Sequence, residues 1–183
     1  MRFAEACFSG GARVLQVRAK ALPSGRLLTI VDGIVAAGAR YHALVIVNDR
    51  PDIASMAGAG GVHLGQEDWV AVDRTKLAGM RIVGISTHSL AQAQQAERDG
   101  ATYIGVGPVF PTGTKPNVKP VGLGLVKAVA GKVTVPFFAI GGITLTNLSQ
   151  VRAAGATRVA VVSAILQAED VAAAARTFKE KLK

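Results

Sequence analysis

The sequence predicts an α/β fold, a (β/α)8 TIM barrel lacking the first β-strand, in a single domain over residues 1–183. Three observations predict it. Short apolar runs rich in Val and Ile recur along the chain. Longer alanine-rich stretches with helical spacing separate them. Polar residues follow nearly every run, where a barrel builds its active site.

The elements follow in order. A helical stretch precedes the first run, "ARVLQVRAK". "LPSGRLLTIVDGIVAAGA" then reads as a helix ending near Gly38. The next runs are "ALVIVND", "GVHLG" and "IVGIST". "SLAQAQQAERDGA" predicts a helix capped by Ser89 and closed at Gly100. "YIGVGPV" and "PFFAIGG" are further strands, and "LTNLSQVRAAGA" repeats the helical scheme to end at Gly155. "RVAVVSA" is the seventh run. Near-continuous hydrophobicity suits strands covered on both faces, as in a parallel sheet with right-handed crossovers.

A doubly wound sheet is the rival, but it gathers its ligand at one switch point. "GAGG" at 58–61 precedes a strand and so is no dinucleotide fingerprint. A complete barrel begins with a strand, and this chain begins with a helix. It is also shorter than the roughly 200 residues usual for the fold. Either translation starts upstream or one stave is missing. A missing stave leaves an unpaired edge, which invites association into a homo-oligomer.

Composition narrows the function. Half of the residues are hydrophobic, so a sizeable core is available. No run approaches the roughly 20 apolar residues that cross a bilayer, and no signal peptide opens the chain. Cys7 is the one cysteine, which excludes an internal disulfide. These features lead to a cytoplasmic protein with no membrane partner. The net charge of +9 is spread along the chain. No nucleic-acid motif accompanies it, so small phosphorylated substrates are the better fit.

The chemistry sits after the strands. Alternation puts Gln16, Arg18 and Lys20 on one face of the first run. Facing inward, the two cations form a clamp for a diphosphate; facing outward, they merely reach solvent. Two buried cations are costly unless an anion neutralises them. Asn48 and Asp49 end the second strand, and Asp68 follows the third. Each aspartate is either a helix cap or a ligand. Together they suit Mg²⁺, which takes one or two carboxylates, waters and phosphate oxygens. His63 reads as a packed, hydrogen-bonded histidine; His42 and His88 lack metal spacing. Ser86 is a substrate contact or a cap, with no base or oxyanion hole signalled.

"VFPTGTKPN" follows the fifth run. Thr112, Thr114 and Lys115 can hold phosphate or a ring substituent, or form a surface turn. Nearby prolines lower the cost of ordering it. Gly142, Val162 and Ser163 follow the last two strands. Barrels frequently bind phosphate there through backbone amides.

Taken together, "LQVRAK", "VNDRPDIA", "GAGGVHLGQEDW", "VGISTHS", "YIGVGPVFPTGTK", "AIGGI" and "VAVVSAI" resemble the thiamine-phosphate synthase family over almost the whole chain. The resemblance implies that 4-amino-2-methyl-5-hydroxymethylpyrimidine diphosphate condenses with hydroxyethylthiazole phosphate, or its carboxylate. Thiamine phosphate forms and pyrophosphate leaves, through a dissociated pyrimidine carbocation. It further implies that Gln16, Arg18, Lys20 and Asn48 hold the pyrimidine diphosphate. Asp49 and Asp68 would hold Mg²⁺, Ser86 the pyrimidine and Lys115 the pyrophosphate. Thr112, Thr114, Gly142, Val162 and Ser163 would bind the thiazole phosphate. Arg18, Lys20, Lys115 and Ser86 are the catalytic set in this reading.

Two departures stand out. Ala19 replaces a glutamate common in the family, on the face turned away from the clamp. The family's apolar first strand is absent. The alternatives are a thiazole tautomerase of the same superfamily and a truncated, non-catalytic thiazole-phosphate-binding paralogue. A tautomerase would not need Arg18, Lys20, Asp49, Asp68 and Lys115 together.

Overall fold

The computed structural model describes residues 2–113 and 118–183. The chain forms two compact units, residues 1–83 with 169–179 and residues 84–168 with 180–183. The elements in chain order begin with α1 (Arg2–Ser9), β1 (Val14–Val17), α2 (Ser24–Ala39), β2 (Leu44–Asn48) and α3 (Pro51–Met56). Then come β3 (Gly61–Leu64), α4 (Gln66–Ala71), a 3₁₀ turn (Arg74–Leu77) and β4 (Ile82–Thr87). They continue with α5 (Leu90–Arg98), β5 (Tyr103–Val106), α6 (Gly122–Ala130) and β6 (Phe137–Ile140). The last are α7 (Leu148–Ala153), β7 (Val159–Ala160), α8 (Ser163–Leu166) and α9 (Val171–Lys181). Strands alternate with helices and pair in parallel, the α/β TIM-barrel-like arrangement that the seven apolar runs predict.

In the first unit β1, β2 and β3 pair in chain order. The register sets Gln16 against Ile46 and Asn48 against His63. One face of this sheet is dry. Val17, Val45 and Val47 pack on Ala4 and Phe8 of α1, Leu27, Val31 and Ile34 of α2, and Ile53 and Ala54 of α3. Each large apolar side chain buried there contributes about 1.5–3 kcal/mol. Leu15 and Ala19 join the same core. Alternation therefore turns Gln16 to the opposite, exposed face, but β1 stops at Val17, so Arg18 and Lys20 are exposed in the loop that follows instead of continuing the strand. Ala19 points away from the clamp, as the sequence implies.

In the second unit β4, β5, β6 and β7 pair in chain order. Ile85, Ile104, Val106, Val126, Leu148 and Val151 are buried. The predicted cap holds: Oγ of Ser89 accepts from the Gln92 N–H. Gly100 follows α5 with φ +88°, a conformation that favours glycine. Ser89→Ala is expected to cost about 1 kcal/mol by orphaning that N–H, measurable by urea denaturation.

Two boundaries differ from the sequence reading. α7 starts at Leu148, later than its pattern, because Oδ1 of Asn147 accepts from the Thr144 N–H and ties 144–147 into a turn. β7 ends at Ala160, so Val162 and Ser163 do not end the strand. Val162 has φ −116° and ψ −80°, outside the β region, and Ser163 opens α8.

Candidate active site

The first unit gathers Lys20, Asp49 and Asp68 beyond the C-terminal ends of β1, β2 and β3. Lys20 lies three residues past Val17, and its Nζ sits 2.7 Å from Oδ2 of Asp49. Asp49 directly follows β2, and its N–H donates to the His63 carbonyl at 2.9 Å. His63 is buried, as the sequence reading expects. Asp49 is one of two non-glycine residues with positive φ, at +61°, among the described residues. That conformation costs an L-residue about 1–2 kcal/mol, although aspartate tolerates it better than most.

Asp68 lies inside α4, at its third residue, instead of at the strand end. There it does two jobs. Its carboxylate accepts from the Gly65 N–H, folding back over the helix start as the second half of a capping box does. A Cβ on Gly65 would lie 2.9 Å from Oδ2 of Asp68, so the glycine leaves room for that fold-back. The same carboxyl meets Asp49. Burial, the Asp49 charge and a hydrogen bond to Asp49 raise the Asp68 carboxyl above the usual range, while Lys20 and Gly65 pull it down.

These residues fit a divalent cation. Oδ2 of Asp49 is closed to solvent and, although ion-paired with Lys20, has no hydrogen-bond partner among the described residues. The Asp49 charge beside the Asp68 carboxyl would be relieved by a shared cation. Among the described residues no group of three or more His, Cys, Asp or Glu gathers. The two carboxylates could hold a Mg²⁺ whose remaining positions go to water and phosphate oxygens. Both aspartates line a cavity of about 410 Å³ that Arg50, Asp52, Leu64 and Lys76 also border.

Arg50 is a residue the sequence reading passed over. Its Nε and Nη2 donate to the two Asp52 oxygens at 2.8 and 2.5 Å, and Nη2 also donates to Oγ of Ser24 at 3.0 Å. These hydrogen bonds lower the Asp52 carboxyl below its ordinary range. Only the spacing of "DRPD" hinted at such a pair.

The second unit holds the other predicted residues. Ser86 is half-buried one residue before the end of β4, and Thr87 ends the strand. Phe110 and Val109 donate to the Gly141 and Ile140 carbonyls, which lays the segment after β5 along the turn after β6. A Cβ on Gly142 would stand 2.5 Å from the Pro111 carbonyl oxygen. Thr112 and Gly142 are thus neighbouring segments, with Gly142 at φ +62°. Nδ2 of Asn147 donates to the Gly142 carbonyl at 2.9 Å and holds that turn, a role the sequence reading missed. Nδ1 of His88 bonds the Gly107 carbonyl and fixes the start of the same segment. Val162 and Ser163 are exposed at the start of α8. Thr114 and Lys115 lie outside the described residues.

Comparison with known proteins supplies the family. Residues 1–165 match the family model described as thiamine monophosphate synthase. A thiamine-phosphate synthase of Methanospirillum hungatei JF-1 is 44% identical over 98% of this chain and 88% of its own length. One of Synechococcus sp. strain WH7803 is 46% identical over 97% of this chain, which spans 51% of that relative. A solved thiamine phosphate pyrophosphorylase from Pyrococcus furiosus superposes with a TM-score of 0.91 at 34% identity, over 99% of this chain and 88% of that one. Nothing among these relatives favours the tautomerase or the non-catalytic paralogue. The chain belongs to the thiamine-phosphate synthase family.

Proposed function

We propose that the chain joins 4-amino-2-methyl-5-hydroxymethylpyrimidine diphosphate to hydroxyethylthiazole phosphate, or its carboxylate, as a transferase. The thiazole nitrogen forms a bond to the pyrimidine methylene carbon, the carbon–oxygen bond to the diphosphate breaks, and thiamine phosphate and pyrophosphate result. The observation that carries this reading is the meeting of Lys20, Asp49 and Asp68 after three successive strands. A cation beside two carboxylates is the donor set a magnesium diphosphate needs.

Asp49 and Asp68 would hold Mg²⁺, which when bound supplies positive charge to the departing pyrophosphate. Lys20 and Arg18 add positive charge on the same side, and Gln16 and Asn48 hydrogen-bond the pyrimidine diphosphate. Ser86 orients the pyrimidine ring and Lys115 receives the pyrophosphate. Thr112, Thr114 and the backbone at Gly142, Val162 and Ser163 take the thiazole phosphate. No side chain attacks the substrate. Catalysis rests on holding two reactants in line and stabilising the leaving charge. Multiply charged phosphates do not cross bilayers, which favours a reaction in the cytoplasm.

The test is a coupling assay with both substrates, with and without Mg²⁺. Thiamine phosphate and pyrophosphate should form in equal amounts, stop with EDTA and resume on adding Mg²⁺. Product that persists in EDTA would remove the metal from the reading. Binding of hydroxyethylthiazole phosphate with no product would favour a non-catalytic protein.

A further inference from the structure

Asp49 sits in a backbone conformation that its neighbours must hold. On one side its N–H is fixed to the His63 carbonyl. On the other side stands Arg50-Pro51, where Pro51 opens α3 and is buried. A residue before proline is kept out of the helical region, and Arg50 has φ −124° and ψ 78°. The Arg50 side chain is anchored as well. Its fork grips both oxygens of Asp52 in the first turn of α3. The same Nη2 reaches Ser24, the first residue of α2, where the loop that carries Arg18 and Lys20 ends. Lys20 and Arg50 therefore tie the β1–α2 loop to the β2–α3 loop twice, once through Asp49 and once beside it.

We infer that Arg50 is a positioning residue for the metal ligand Asp49: its three-point brace to Asp52 and Ser24 sets the angle at which the Asp49 carboxylate is presented. This rests on the reading of Asp49 as a Mg²⁺ ligand. The brace is partly exposed, at 33% for Arg50 and 51% for Asp52, and exposed ion pairs add little to stability. Its contribution is directional instead. Two parallel N–H···O contacts fix a plane as one ammonium contact cannot, so lysine is no substitute for arginine here.

The experiment titrates Mn²⁺, in the presence of pyrophosphate, into the full chain and follows bound metal by electron paramagnetic resonance. Arg50→Ala and Arg50→Lys should each weaken Mn²⁺ by about tenfold or more, the effect of losing a residue that orients a metal ligand. The melting temperature and the affinity for hydroxyethylthiazole phosphate should stay at wild-type values. Arg50→Lys separates geometry from charge. Wild-type Mn²⁺ affinity in Arg50→Lys, with a loss in Arg50→Ala, would assign the effect to charge and overturn the brace. Wild-type affinity in both, with loss in Asp49→Ala, would overturn the inference and spare the metal reading. Wild-type affinity in Asp49→Ala would sink both. If Arg50→Ala does not fold, Asp52→Asn weakens the same fork from its other end and should reproduce the loss; unchanged affinity there counts against the brace.

Discussion

Asp49→Ala is expected to abolish Mg²⁺-dependent synthesis of thiamine phosphate while leaving hydroxyethylthiazole phosphate affinity largely intact. The physical reason is local. Oδ2 of Asp49 is the buried oxygen that Lys20 approaches and that no hydrogen bond satisfies among the described residues. Alanine removes it and leaves Asp68 as a lone carboxylate. A lost electrostatic contact to a departing anion costs about a hundredfold or more in turnover. Lys20 also loses its partner, so the apparent KM for the pyrimidine diphosphate should move with kcat. Thiazole-phosphate binding is assigned to residues after β5, β6 and β7 and should not change. Steady-state kinetics with each substrate varied in turn, beside calorimetry with the thiazole alone, reads both halves. Unchanged turnover would remove Asp49 from the metal assignment.

Gly61→Ala should have the largest effect on stability. A Cβ built there lies 2.0 Å from the Ile82 carbonyl oxygen and 2.7 Å from the Ile82 Cβ. Gly61 and Ile82 both lie in the first unit, at the starts of β3 and β4, and cannot part without moving backbone. Overpacking of this severity costs at least about 3 kcal/mol. That is a large share of the roughly 5–15 kcal/mol that holds a native protein together. For a chain of this size the melting temperature should fall by at least about 6 °C. Gly25→Ala is the matched control. A methyl group added there would meet nothing within 4 Å, and the site is inside α2. Alanine there should raise stability by about 0.5–1 kcal/mol. Thermal denaturation followed by circular dichroism distinguishes the two. A melting temperature for Gly61→Ala equal to that of the parent would mean the strands yield more easily than their close approach implies.

Much of this architecture could be read from residue order. Strands such as "ALVIVND" are apolar on both faces because helices cover one side and the sheet's other face is also dry at Ile46. Ser89 and Gly100 mark α5 because capping and left-handed backbone are local demands. The alternation at Gln16 and Val17 was equally legible, since period two follows from the pleat. The end of β7 was not. "RVAVVSA" stays apolar past Ala160, and only the dihedrals of Val162 show the ladder stopping. For the site, the aspartates were visible as strand-end carboxylates, but their meeting was not. It depends on Asp68 folding back from the third position of α4, a tertiary placement that no spacing encodes. Arg50 was hidden for a similar reason: Ser24 lies 26 residues away along the chain.

The left-handed backbone at Asp49 has a consequence for how such a protein can drift. Asparagine and glycine accept that conformation as readily as aspartate does. Chain shape alone therefore admits several residues at position 49, histidine among them as at His42 with φ 51°, and of these only aspartate is an anion. On the proposed reading, a single change to asparagine or glycine should keep the fold and remove the metal ligand, so form and chemistry would part at this one position.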